Sequence, residues 1–149
     1  KVNSILFVEI KNFNEFIYSY SGNKKYLLLA YSFWKLWHED NPNNKTILSA
    51  KLDNWVNTVR LLVEVDEQSI EKLIGIYKFF DKCQKKDATF DNFWYNTVSS
   101  IGGLRDTNKK GEYRLDKITA VLNDKCEKDK NFDKLVTDAI NKFNKYAVN

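Results

Sequence analysis

A chain of 149 residues, 43% hydrophobic and 15% aromatic, is long enough to bury a core and too apolar for a disordered segment. Its 24 basic and 20 acidic residues leave a net charge of +4, and they are interspersed rather than blocked, which excludes a polybasic tail and reads as solvated surface. No apolar run approaches the roughly 20 residues of a membrane-spanning helix, so no membrane association is expected.

One proline and five glycines are too few for a turn-rich sandwich or barrel, and apolar spacing follows the helical period. The expected class is all-α: a single bundle of five to seven helices over 23–149, preceded by an N-terminal arm or linker over 1–22. In that first stretch Ile5-Leu6-Phe7-Val8 reads as a short strand or apolar arm, and Phe13, Phe16, Ile17 and Tyr20 stand at helical spacing. A first firm helix is predicted from about Lys24 to Glu39, apolar on nearly every side and so deeply buried. Asn41-Pro42-Asn43-Asn44 ends it as a turn. A second helix is predicted from Ser49, as N-cap, to Val65, and a third from Ser69, also as N-cap, to Cys83. Short helical pieces follow over 91–98 and 100–105, the latter holding Gly102-Gly103 as a bend or close backbone approach. Residues 106–112 read as an exposed loop. Two last helices are predicted over 115–128 and 132–146.

Catalytic chemistry finds no recognisable motif. His38 is the only histidine and reads as a helix-end surface residue, so no zinc pair and no metal site are expected. There is no glycine-rich phosphate loop and no nucleophile elbow, and no cofactor is expected. Cys83 and Cys126 read as thiols in a reducing compartment.

Binding remains. The three arginines are Arg60, Arg105 and Arg114. Two regions combine cations with aromatic rings, as a single-stranded nucleic acid requires. One is Lys82, Lys85 and Lys86 near Phe90 and Phe93. The other is Arg105, Lys109, Lys110 and Arg114 around Gly111 and Tyr113. The alternative for both is a solvated loop whose ring packs inward. Phe93-Trp94 likewise either anchors a short helix to the core or, with Trp94 exposed, offers a protein interface.

An ordered series runs through the middle of the chain: Asn41-Pro42-Asn43, Leu52-Asp53-Asn54-Trp55, Arg60-Leu61-Leu62, Val65-Asp66, Phe93-Trp94, Ser99-Ser100 and Leu104-Arg105. In that order, over about residues 26–118, the chain resembles the C-terminal domain of phage and mobile-element replication proteins of the replisome-organiser and helicase-loader type. The abundance of Asn and Lys suits such an AT-rich source. The stretch from Asp66 to Phe93 is longer than the family spacing, the last two helices extend past the family's usual end, and the family's N-terminal winged-helix domain is not visible. A start at Lys1 and a lack of methionine read as a fragment of a longer protein.

The resemblance implies a non-catalytic replication accessory protein in the cytoplasm of a bacterial host. Its partners would be single-stranded or melted DNA and a replicative helicase or initiator. Arg105, Lys109, Lys110 and Arg114 would contact DNA, with Lys85 and Lys86 secondary and Phe93 and Trp94 supporting that surface or docking the partner. Two other readings compete: a viral or mobile-element module that binds a host protein without touching DNA, and an enzyme centred on His38 and Glu39.

Overall fold

The computed structural model describes residues 5–107 and 110–148. It is all-α, with eight helices among the described residues, five of them seven residues or longer. They are α1 (Phe13–Tyr18), α2 (Lys24–Asp40), α3 (Lys45–Leu48), α4 (Leu52–Arg60), α5 (Ile70–Gln84), α6 (Phe93–Thr97), α7 (Arg114–Lys128) and α8 (Lys130–Asn144). The only β pairing among the described residues is two isolated antiparallel bridges, Leu6 with Lys51 and Thr107 with Tyr113.

The helices begin where short polar side chains replace a missing backbone acceptor. Asn23 accepts from the Tyr26 N–H at 3.0 Å to start α2, Ser69 from Lys72 at 3.1 Å to start α5, and Asp129 from Phe132 at 3.0 Å to start α8. As its nearly all-round apolar sequence requires, α2 is the central helix: Leu27, Leu29, Ala30, Phe33, Trp34, Leu36 and Trp37 are all buried. It packs against α4 and α5, and α5 in turn packs against α7 and α8. A web of edge-on rings closes the core, with Phe33 and Trp37 against Phe80, and Phe79 and Phe90 against Phe132.

The structure corrects the expected N-terminal half in two places. Ser49 does not start a long helix. Asn44 caps the short α3, and Ser49 closes it, its hydroxyl donating to the Lys45 carbonyl at 2.8 Å. Residues 50–52 are then engaged by the chain start: the Phe7 N–H donates to Ala50 O at 3.2 Å and the Leu52 N–H to Ile5 O at 2.8 Å, so α4 begins only at Leu52. The same pairing brings the expected arm or linker into the bundle. Phe7 is 1% exposed and stacks on Trp34 at 5.3 Å, and Ile17 of α1 is 2% exposed, both in the one core that the helices share.

After Arg60, α4 continues as a wider π-helical turn over Leu61–Val65. The Asp66 N–H closes it on Leu61 O at 2.8 Å, and Glu67 takes a left-handed φ of 59° that stops the helix. A π turn adds a residue to the helical repeat and so rotates the chain that leaves it. Here it presents the Asp66 carboxylate to the segment around Arg105.

Candidate nucleic-acid and partner interface

Gly102 and Gly103 lie in a 3₁₀ turn over Ile101–Arg105. A Cβ on Gly103 would stand 3.3 Å from Val98 Cγ1, so this backbone does run close against its neighbour. The turn delivers Arg105 to Asp66. The guanidinium Nε donates to Asp66 Oδ2 at 2.6 Å and Nη2 to Oδ1 at 2.8 Å, while the Tyr113 hydroxyl donates to Oδ2 at 3.0 Å. The paired donors are a strong, planar arrangement. The Arg105 hydrogen bonds hold the Asp66 carboxyl below the usual carboxylate range, with Tyr113 adding to this and burial opposing it. The Tyr113 phenol is raised, by burial first and then by the carboxylate it faces.

Arg114 is occupied in the same way. Its Nη1 donates to Gly103 O at 3.3 Å and lies 3.5 Å from Asp106 Oδ2, while its backbone N–H donates to Asp106 O at 3.0 Å. Both arginines expected to meet phosphate are therefore tied into the base of the 106–113 loop, and Tyr113 packs inward. Lys110 is exposed next to Gly111, whose φ of 79° suits glycine. Lys109 lies outside the described residues.

The second expected region divides as well. Lys85 is exposed and pairs with Asp81 one turn earlier, and Lys86 is exposed at a left-handed φ of 63°. Phe90 is 6% exposed and sits edge-on to Phe79 and Phe132, with the Lys125 ammonium 4.2 Å above its ring. The inward alternative thus holds for Phe90. On α6, Phe93 is 58% exposed, Trp94 is half-buried, and Tyr95 is the buried anchor. The Tyr95 hydroxyl donates to Asp40 Oδ2 at 2.8 Å, fastening α6 to the end of α2.

His38 is half-buried and stacks on Trp34 at 4.6 Å, with its Nδ1 buried and without a hydrogen-bond partner among the described residues. Among those residues no three His, Cys, Asp or Glu side chains stand together as metal ligands. Both cysteines are free, Cys83 buried and Cys126 half-buried, and burial pushes the Cys83 thiol up to about 11.

The sequence pattern did not single out two lysines, Lys78 and Lys142. They line one open groove between α5 and α8, together with Leu135, Asp138, Ala139 and Asn141. Lys78 and Lys82 on α5 and Lys85 just past its end recur at intervals of four and three, a spacing visible in the sequence; only the packing of α8 adds Lys142.

Residues 28–110, more than half of the chain, match the family described as Phage replication protein O, C-terminal domain. Comparison with curated proteins and with solved structures finds no match. The matched stretch runs from α2 to the 106–113 loop and contains Asp66, Arg105 and the exposed Phe93; α7 and α8 lie beyond it. With that span, and with an all-helical fold in which Asp66 and Arg105 of the series are locked together, the chain belongs to the phage replication protein O C-terminal domain family, which supports a replication-related role.

Proposed function

We propose that this domain is a non-catalytic replication adaptor that holds single-stranded or melted DNA while docking a replicative helicase or an initiator. The observation that carries the reading is the family match, which spans both exposed elements suited to partners, the Lys85-Lys86 turn and Phe93. In this reading lysines rather than arginines meet the phosphates: Lys85, Lys86, Lys109 and Lys110 follow the strand as point charges. Arg105 and Arg114 shape the loop that carries two of them. Phe93, held out by the buried Tyr95 on one side and backed by Trp94 on the other, is the apolar contact for the protein partner.

The test has two arms. Fluorescence anisotropy of labelled single- and double-stranded oligonucleotides is measured across a salt series, and the host's replicative helicase and the replicon's initiator are offered in a pull-down. Salt-sensitive DNA binding with capture of either protein supports the adaptor. Capture without DNA binding favours a pure protein-interaction module, and failure of both arms overturns the reading.

A further inference from the structure

We propose that the groove between α5 and α8, lined by Lys78 and Lys142 and continued by Lys82 one turn further along α5, is a binding site for the phosphate backbone of nucleic acid. This rests on the replication reading above and gives it a surface that the loop lysines do not supply. Lys78 and Lys82 are one helical turn apart on α5, and Lys142 faces Lys78 across the groove from α8. Among the described residues none of the three has a carboxylate at ion-pair distance. Three acidic groups stand near: Asp81, which pairs with Lys85 and also acts on Lys78, Asp87, which accepts from Thr89 and also acts on Lys82, and, in the groove wall, Asp138, which pairs with Lys134 at 3.0 Å.

Lys78 is half-buried, and its ammonium is pushed down chiefly by burial; Asp81 opposes this more than any one lysine adds to it, and Lys85, Lys142 and Lys82 each push it further down. A fold gains nothing from gathering like charges around a half-buried ammonium, whereas a polyanion relieves their repulsion. Lysine ammoniums bind phosphate as point charges without a fixed geometry, and the replication family to which the chain belongs makes nucleic acid the polyanion to expect. The groove wall is formed by Leu135, Ala139 and Asn141 and carries no exposed ring, so it takes phosphates and leaves the bases unread. One wall belongs to the family-matched core and the other to α8, beyond the match. The last helix thereby completes a site that the matched core alone lacks.

The triple variant Lys78→Gln/Lys82→Gln/Lys142→Gln is compared with Lys35→Gln/Lys45→Gln/Lys51→Gln, which removes the same charge from exposed positions on α2 and around α3. Both are titrated with labelled oligo-dT and oligo-dA between low and moderate salt. The groove triple is expected to bind at least about tenfold more weakly at ~0.1 M salt, with the slope of log K against log salt reduced by about 2, equally for both oligonucleotides. The control triple is expected to change the slope far less. Should the half-buried Lys78 prove needed for folding, the double variant Lys82→Gln/Lys142→Gln carries the same test with a slope change of about 1.4. Equal losses in the groove and control triples overturn the site, as does tighter binding of a polyglutamate peptide than of oligo-dT. If the groove triple binds like the wild type while Lys85, Lys86, Lys109 and Lys110 changed together to Gln abolish binding, the groove is wrong and the adaptor stands. If the unaltered chain binds no DNA, the DNA arm of the adaptor falls first.

Discussion

Arg105 and Asp66, 39 residues apart, are joined by two parallel hydrogen bonds of 2.6 and 2.8 Å, with the Tyr113 hydroxyl a third donor to the same carboxylate. Three segments meet there: the π turn after α4, the glycine-containing 3₁₀ turn and the start of α7. The side chains are only 34% and 16% exposed, so water competes poorly for either partner. A double-mutant cycle on Asp66→Asn and Arg105→Gln is expected to show each single change lowering stability by about 1–3 kcal/mol. The double variant should lose clearly less than the two singles together, because whichever partner goes first takes the shared interaction with it. Urea unfolding of the four proteins measures this. Strict additivity would mean that the pair contributes nothing as a pair.

The same carboxylate gives stability an acid dependence. Its folded-state pKa lies below the ordinary 3.8, held there chiefly by Arg105. A depressed carboxylate stabilises fully above its unfolded value, and the contribution is lost as pH falls through the folded one. The melting temperatures of wild type and Asp66→Asn should therefore differ most near neutrality and converge below about pH 4, the unfolded aspartate value. Asp87, also lowered through its bonds with Thr89, is present in both proteins and cancels in the comparison. A gap that widens on acidification would contradict this assignment.

How far the sequence spoke depended on the range of the interaction. α2, α5 and α8 were legible because a face or girdle of apolar residues is a local signal, and Ser69 caps α5 as its position suggests; the caps Asn23 and Asp129 showed only in the structure. Ser49 misled because a serine before an apolar run caps a helix or closes one equally well, and the choice was made by Phe7 and Ile5 pairing with residues 50–52. Phe7 itself carries no periodicity that marks it as core. The loop arginines looked free because their acceptors, Asp66 and the Gly103 carbonyl, are brought to them only by the fold. The groove lysines were half visible: the α5 stripe is a spacing, but Lys142 joins it only through helix packing.

Gly75 tests the seam between α5 and α7. It is buried inside α5, and an added Cβ would meet Leu122 Cδ2 at 2.9 Å. Alanine gains about 1 kcal/mol of helix propensity and asks one leucine terminus to move, so Gly75→Ala should fall near neutral. Gly75→Val adds two further methyl groups where the core is full, and should destabilise by roughly 1–3 kcal/mol. Thermal melts of the two variants side by side separate these effects; a valine variant as stable as the alanine one would show that α7 can retreat freely.

Cys83 should be inert until the chain unfolds. Its side chain is buried, its sulfhydryl faces the Asp91 carbonyl at 3.6 Å, and its pKa near 11 leaves roughly a thousandth of it as thiolate at pH 8. In a Cys126→Ser background, a disulfide-exchange reagent at pH 8 is expected to label no thiol in the native protein on the timescale on which it labels one equivalent in guanidinium. Because the folded pKa is raised, its contribution to stability is complete below the ordinary thiol value of 9.0 and is lost as pH climbs towards 11. Rapid native labelling would place Cys83 at the surface.

Phe93 and Tyr95, two residues apart on α6, should answer substitution in opposite ways. Tyr95 is 6% exposed and commits its hydroxyl to Asp40, so Tyr95→Phe leaves the ring in place and removes only the bond that ties α6 to α2. A loss of about 0.5–1.5 kcal/mol is expected, with partner capture unchanged where the fold persists. Phe93 is 58% exposed and touches chiefly Trp94, so Phe93→Ala should alter stability by no more than about 0.5 kcal/mol. Under the adaptor reading that silent change is the one that weakens capture of the helicase or initiator, since an exposed ring contributes little to folding and much to a desolvated contact. Chemical denaturation and pull-down on the same two variants decide between a structural and a docking role. If Phe93→Ala left capture intact, the protein-facing surface would have to be sought away from α6.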